Sequence, residues 1–461
     1  MDGHRDAVSA LRRSYAAVGK GQQVRLAKRT SNLFRPRTGG PVSGLDVSGL
    51  TGVISVDPRS RTADVQGMCT YEDLLRATLP YALMPLVVPQ LKTITLGGAV
   101  TGLGIESSSF RNGLPHESVL EMDILTGDGE VVRASPTEHP DLFAAFPNSY
   151  GSLGYAVRLR IALDPALPYV GLRHVRFLEL DSLCDAVAAI TANRSWTGEP
   201  VDFLDGVVFG PDEAYLTLGR WAESPAAIGE NWASDYTGQQ IYYRSIRERE
   251  RDCLTVHDYI WRWDTDWFWC SGAFGAQHPV VRRLWPARYR RSDVYHRLVG
   301  LENRFGLFAR IDKRRGKPAR ERVVQDVEIP LEHTADFLRW FAKNVPMAPV
   351  WLCPLKLAEP DGPGSARSWP LYPLAAGEVY VNVGFWGTVP IENGKADGDV
   401  NRLIEVAVAE RAGHKSLYSD AYYDRQTFES VYGGEAYRTV KAIYDPDSRL
   451  TGLYEKAVGR R

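Results

Sequence analysis

Cysteine is scarce and scattered. The 461 residues hold five, Cys69, Cys184, Cys253, Cys270 and Cys353, with no C-x-x-C spacing. That argues against a disulfide framework or a structural zinc site and fits a reducing compartment, so no metal is expected. No apolar run reaches the length of a membrane span, and the opening MDGHRDAVSALRRSYAAV has no signal-peptide core. Net charge is also lacking, at -1, so bulk electrostatics gives no reason to expect nucleic acid as a partner. No internal repeat or long low-complexity tract is visible. What is present is a globular composition, 44% hydrophobic and 24% charged, in a chain too long for one ordinary core. Two domains are the expectation.

The first third reads as many short strands with a few helices. An amphipathic helix is expected over Val8–Val18 and strands over Val53–Asp57 and Thr62–Gln66. A helix is expected over Thr70–Thr78, with Thr70 as its cap and Glu72 and Asp73 in its first turn. Ser118–Leu125 and Glu130–Ala134 flank Thr126-Gly127-Asp128-Gly129 as a tight strand pair. His139–Phe146 reads as a helix and Tyr155–Leu163 as a strand. Breakers around Asp164–Tyr169 suggest a domain boundary.

Thr95-Leu96-Gly97-Gly98-Ala99-Val100-Thr101-Gly102-Leu103-Gly104-Ile105-Glu106-Ser107-Ser108-Ser109 carries the chemistry. Its glycines let backbone approach a ligand, successive N–H groups can cradle phosphate oxygens, and the serines add donors. No Gly-Lys-Ser/Thr follows, so it is not a P-loop, and it does not match the dinucleotide fingerprint G-x-G-x-x-G. A glycine-rich sheet corner remains the bland alternative. Ser149-Tyr150-Gly151-Ser152-Leu153-Gly154 is a second small-residue turn suited to a flat ligand.

Together with Gly113, Asp128-Gly129 and Asp141-Leu142-Phe143, these strings resemble the FAD-binding domain of vanillyl-alcohol-oxidase-type flavoproteins. Gly104-Ile105-Glu106-Ser107-Ser108-Ser109, Trp351-Leu352-Cys353-Pro354 and Leu417-Tyr418-Ser419-Asp420-Ala421-Tyr422-Tyr423-Asp424-Arg425 narrow the resemblance to the Δ24-sterol reductase (seladin) branch. The resemblance runs from about Val53 to Tyr454. Within that branch the chain is read as similar in kind to bacterial reductases that turn 10-methylene fatty acyl chains into 10-methyl ones, the reaction that forms tuberculostearic acid. An arginine-rich composition and the lack of an N-terminal apolar anchor favour that choice.

The resemblance implies an α+β, two-domain FAD-binding fold of the PCMH type with a substrate cap. Residues 1–168 would bind FAD, 169–400 would form the cap, and 401–461 would return towards the flavin. It implies FAD contacts at Thr95, Gly97, Gly98, Gly102, Gly104, Ile105, Ser107, Ser108 and Ser109, with Gly151, Ser152 and Gly154 beside the flavin. Many relatives attach FAD through a histidine in an earlier glycine loop. The equivalent stretch, Lys28–Phe34, has neither glycine nor histidine, so FAD is expected to be non-covalent, with His414 as the alternative attachment point. NADPH is expected to supply electrons.

The expected reaction saturates an isolated alkene in a phospholipid-bound acyl chain, and an upstream lipid methyltransferase would make its substrate. A sterol or isoprenoid side-chain reductase is the first alternative, and a sugar or alcohol oxidase the second. An unconjugated alkene must be protonated as hydride arrives, so the site needs a proton donor in an apolar pocket. Tyr422, Tyr418 and Asp420 are the first candidates and Glu106 the next, unless Glu106 pairs with Arg111. His116 and His257 are weaker relays. The Trp-rich stretch His257–Trp269, followed by Trp285–Arg291, is expected to face a membrane interface. The basic run Lys313–Lys317, with Arg320 and Arg322, could meet headgroups or the NADPH phosphate. The expected location is the cytoplasm, with peripheral contact at the inner face of the cell membrane.

Overall fold

The computed structural model describes residues 2–28, 34, 43–305, 318–359, 362 and 365–458. Its first helix, Asp2–Ala16, starts earlier than the apolar period suggests. Val53–Asp57 and Thr62–Gln66 are strands, and Tyr71–Thr78 is a helix whose first turn is held by Thr70 Oγ1 accepting from Asp73 N at 3.2 Å. Val119–Leu125 pairs antiparallel with Val131–Ala134 across the glycine turn, and Pro140–Ala145 is helical.

Two antiparallel sheets organise the chain. The first runs, in spatial order, Val53–Asp57, Thr62–Gln66, Tyr155–Pro165, Val119–Leu125 and Val131–Ala134, with Leu83–Pro85 paired to the far end of the long strand. The second begins with the next strand, Tyr169–Phe177. Its order is Arg251–Thr255, Tyr169–Phe177, Glu213–Ala222, Phe203–Gly210, Val350–Leu355, Tyr380–Pro390, Arg320–Pro330 and His414–Lys415. The chain then returns through the helices Arg425–Val431, Gly434–Tyr444 and Leu453–Ala457 to the first sheet's end of the molecule, where Gly127 N donates to Tyr444 O at 2.8 Å.

Strand alternation decides what the second sheet shows to each side. Val323, Val327 and Ile329, with Val381, Val383 and Phe385 and with Val350 and Leu352, pack under the helices Leu180–Asn193, Leu331–Asn344 and Asp399–Ala409. The intervening positions, Asp326, Asn382, Trp386 and Trp351, therefore share the opposite face, towards the first sheet. Among the described residues no helix is long and apolar enough to cross a membrane.

Candidate active site

A cavity of about 670 Å³ lies between the two sheets. One wall is the glycine segment. Only part of it is a loop: Leu96–Thr101 is a short helix whose Thr95 Oγ1 accepts from Gly98 N at 3.2 Å. Thr95, Gly97, Gly98, Gly104 and Ile105 line the cavity, as do Gly151 and Gly154 from the second turn. That turn needs its glycines, with φ of 72° at Gly151 and 140° at Gly154, and it forces Tyr150 to φ 49°. A Cβ on Gly104 would lie 2.6 Å from Pro115 Cγ and 2.8 Å from Pro89 Cγ.

Five of the expected cofactor contacts do not line this wall. Gly102 ends the short helix under Tyr150. Ser107 Oγ bonds Glu106 Oε1 at 2.6 Å and the Tyr259 hydroxyl at 2.7 Å. Ser108 Oγ donates to Leu86 O at 2.8 Å, Ser109 Oγ accepts from Glu106 N at 3.1 Å, and Ser152 Oγ donates to Ser149 O at 2.7 Å. These hydroxyls fold the segment rather than face the cavity, because buried hydroxyls must find partners.

The sequence reading missed two cations on the same wall. Lys28 Nζ lies 3.0 Å from Thr95 Oγ1, and Lys456, delivered by the returning helix Leu453–Ala457, donates to Tyr150 O at 3.0 Å. Glycine backbone, a helix cap and two lysines around one cavity fit a diphosphate. Residues 29–33 of the expected first phosphate loop, and the basic run Lys313–Lys317, lie outside the described residues.

The opposite wall is aromatic and acidic. Trp267, Phe268, Trp351 and Trp386 line it with Asp326, Asn382 and Tyr418. Trp386 Nε1 donates to the Tyr418 hydroxyl at 2.8 Å, Asn382 Nδ2 donates to Asp326 Oδ1 at 2.9 Å, and the Tyr418 hydroxyl donates to Asp326. Burial pushes the Asp326 carboxyl up to about 6 and holds the Tyr418 phenol well above its ordinary value. Gly384, paired with Asp326 across the strands, makes this cluster possible, since a Cβ there would overlap Asp326 Oδ1 and the Trp386 ring.

Of the four expected proton donors, Tyr418 alone lines the cavity. The Tyr422 ring packs on Gly398 and under the Arg402 guanidinium, and Asp420 is paired with Arg322 at 3.1 Å. Glu106 pairs not with Arg111 but with Arg262, at 3.1 Å. The same guanidinium bonds Asp205 Oδ2 at 2.9 Å, and that oxygen also accepts from Trp263 Nε1 and Trp351 Nε1. Arg111 instead meets Asp164 at 3.3 Å. His116 is buried against Trp369, with burial pushing it down to about 3, and His257 is exposed beside Asp258. His414 is also buried, behind Glu328, and does not line the cavity.

The Trp-rich stretch is core, not surface. Trp261, Trp263 and Trp267 are 3%, 1% and 7% exposed. Its apolar bulk floors the cavity.

A nucleotide-friendly wall facing an apolar, acid-bearing wall defines a cofactor-dependent redox site. Residues 6–135 match the family described as FAD binding domain, and the fold is the vanillyl-alcohol-oxidase (PCMH) type of an FAD-dependent oxidoreductase. Over most of its length the chain is similar to Delta(24)-sterol reductases. It is 25% identical to that of Homo sapiens over 88% of this chain and 76% of the relative, and 25% identical to that of Arabidopsis thaliana over 90% and 76%. Cytokinin dehydrogenase 2 of Oryza sativa subsp. japonica is 35% identical, but over only 31% of this chain and 24% of the relative.

Proposed function

We propose that the protein reduces an isolated carbon–carbon double bond in an apolar lipid. The observation that carries this reading is the Trp386–Tyr418–Asp326–Asn382 cluster, a proton-bearing group set in an aromatic wall across from the glycine wall. FAD, when held along the glycine wall, would supply the hydride. Thr95, Gly97, Gly98, Gly104, Gly151, Gly154, Lys28 and Lys456, which line the cavity, would hold it.

The chain's own task is to deliver a proton to a carbon that is a poor base. Tyr418 presents the hydroxyl. Trp386 occupies one lone pair of its oxygen and fixes the ring, and Asp326, protonated below about pH 6, returns a proton as the phenol gives one up. Phenolate in this apolar setting is costly, so the two transfers are coupled. Trp267, Phe268, Trp351 and Trp386 exclude water, which protects the positive charge that gathers on the more substituted carbon.

The similarity to Delta(24)-sterol reductases supports a sterol or isoprenoid side chain as the first substrate class. The second is the methylene group of a phospholipid-bound acyl chain. An exposed apolar surface bearing arginines, at Val280–Tyr289, favours it. NADPH is the proposed electron source for either. The test is anaerobic reduction of the yellow protein by NADPH, then mixing with a sterol bearing a side-chain double bond or with a 10-methylene-acyl phospholipid. Reoxidation with the saturated product names the class. Reoxidation by neither overturns the reading.

A further inference from the structure

The segment His278–Arg291 (HPVVRRLWPARYRR) is strongly basic, with five arginines and no acidic residue. It also gathers four exposed large hydrophobic side chains, Val280, Val281, Leu284 and Tyr289. Leu284 is 78% exposed, Val280 60% and Tyr289 46%. On the short helix Pro279–Leu284, Val280, Val281 and Leu284 fall on one face and Arg282 on the other.

This exposure is built in. The buried Arg282 forms an ion pair with Asp266 at 2.6 Å and donates to Gln240 O at 2.9 Å. Arg290 donates to Thr237 O, Gly238 O and Arg282 O at 2.6, 2.7 and 2.6 Å, and Arg291 grips Glu72 of the first domain with two bonds. Buried arginines thus clamp a rigid platform whose outer side carries Val280, Leu284, Tyr289, Arg283 and Arg288. Scattered apolar side chains need no explanation, but a clamped apolar face flanked by cations does.

A run of packed rings links the platform to the cavity wall. Tyr418 meets Phe34 edge-on at 5.9 Å, Phe34 stacks on Trp267 at 5.6 Å, and Trp267 shares an apolar cluster with Tyr295, whose ring lies 6.1 Å from that of Trp285.

We propose that Val280–Tyr289 docks on an anionic bilayer, Val280, Leu284 and Tyr289 entering the headgroup boundary while Arg283 and Arg288 meet lipid phosphates. The proposal rests on the lipid reading above, because such a substrate must be drawn from a membrane. Small apolar insertion plus a few cations gives reversible attachment that depends on anionic lipid and weakens with salt.

The test uses the flavin-loaded full chain and vesicles that hold no reducible substrate, so it stands apart from turnover. Vesicles are phosphatidylcholine alone, or phosphatidylcholine with phosphatidylglycerol at about one part in three. Co-sedimentation with the anionic vesicles is expected. The double substitution Val280→Glu/Leu284→Glu should weaken it by about tenfold or more. Arg283→Gln/Arg288→Gln should weaken it by about tenfold and flatten its salt dependence. Each variant should keep its bound flavin and its turnover of detergent-dispersed substrate. Leu284→Trp should give a blue-shifted emission on anionic vesicles. Three results would overturn the proposal: no binding to anionic vesicles, binding that the substitutions leave unchanged, or concentration-dependent self-association that Leu284→Glu abolishes.

Discussion

Trp386 donates its indole N–H to the Tyr418 hydroxyl oxygen at 2.8 Å, which occupies one lone pair of that oxygen and fixes the ring at the cavity wall beside Asp326. Tyr418→Phe should therefore remove the proton donor and little else. The expected outcome is a loss of about 10²–10⁴ in the rate of alkene reduction, with flavin content and flavin reduction unchanged. Stopped-flow reoxidation of the reduced protein by the lipid alkene checks it, and a variant that reoxidises at the parent rate removes Tyr418 from the mechanism.

Asp326 should set the pH dependence. Its folded value is pushed from 3.8 up to about 6 by burial. The relay uses the neutral acid, so alkene reduction should fall as pH rises through about 6. The same shift acts on stability. Between those two values the folded chain holds a proton that the unfolded chain has lost, so stability falls as pH rises across that window and levels off above it. Asp326→Asn should flatten both profiles and lower the reduction rate by about 10². Thermal unfolding and single-turnover rates followed over pH provide the measurement, and a profile unchanged in the variant would sink this role.

How much of this was legible depends on whether the signal is local. The glycine segment could be read because a backbone cradle needs glycine at several adjacent positions, and Thr70, Gly129 and the strand pairs could be read from nearest neighbours. The serines of the same segment misled. Their type suggests donors to a ligand, but whether a hydroxyl turns outward or back to Leu86 O is decided by packing. The Tyr418–Arg425 string brings one residue to the cavity, yet period and composition do not separate Tyr418 from Tyr422. What separates them is that Trp386, 32 residues away, reaches one and not the other. Asp326 and Asn382 left no local mark at all. Asp326 is one of several polar residues in its strand and Asn382 sits in an apolar one, and only the cross-strand register brings them together 56 residues apart. Four tryptophans in nine residues suggested a membrane face, but Trp261, Trp263 and Trp267 are buried and Trp263 spends its N–H on the buried Asp205.

Glu106 and Arg262 should behave as structure rather than chemistry. Arg262 is fully buried between Glu106 and Asp205, which ties the glycine segment to the second sheet. Arg262→Met leaves two carboxylates buried without their counter-charge and should cost about 3–5 kcal/mol, read by thermal or denaturant unfolding. Glu106→Gln keeps a hydrogen-bonding shape and should retain alkene reduction within about a factor of three, far from the ~10²-fold loss that removal of a proton donor brings. A Gln variant that folds, binds flavin and has lost reduction would restore Glu106 as a donor.

Gly384 offers the sharpest test that the acid cluster, and not only its members, performs the chemistry. It touches neither the glycine wall nor the returning lysines, and it carries no functional group. Its sole contribution is space: a Cβ there would overlap Asp326 Oδ1 and lie 2.6 Å from Trp386 Cη2. Strand pairing with Asp326 on one side and Trp351 on the other prevents the backbone from stepping aside. Gly384→Ala must then push the carboxyl or the indole out of place, at a cost of about 1–3 kcal/mol in stability. Flavin binding, determined on the opposite wall, should be preserved. Alkene reduction should fall by about 10² or more, because a misplacement of about 1 Å is enough to break a proton relay. The flavin absorbance of the purified variant and its single-turnover reoxidation, measured on one sample, separate the two walls. If Gly384→Ala loses flavin but reduces alkene normally per flavin bound, the cluster is scaffold and the proton comes from elsewhere.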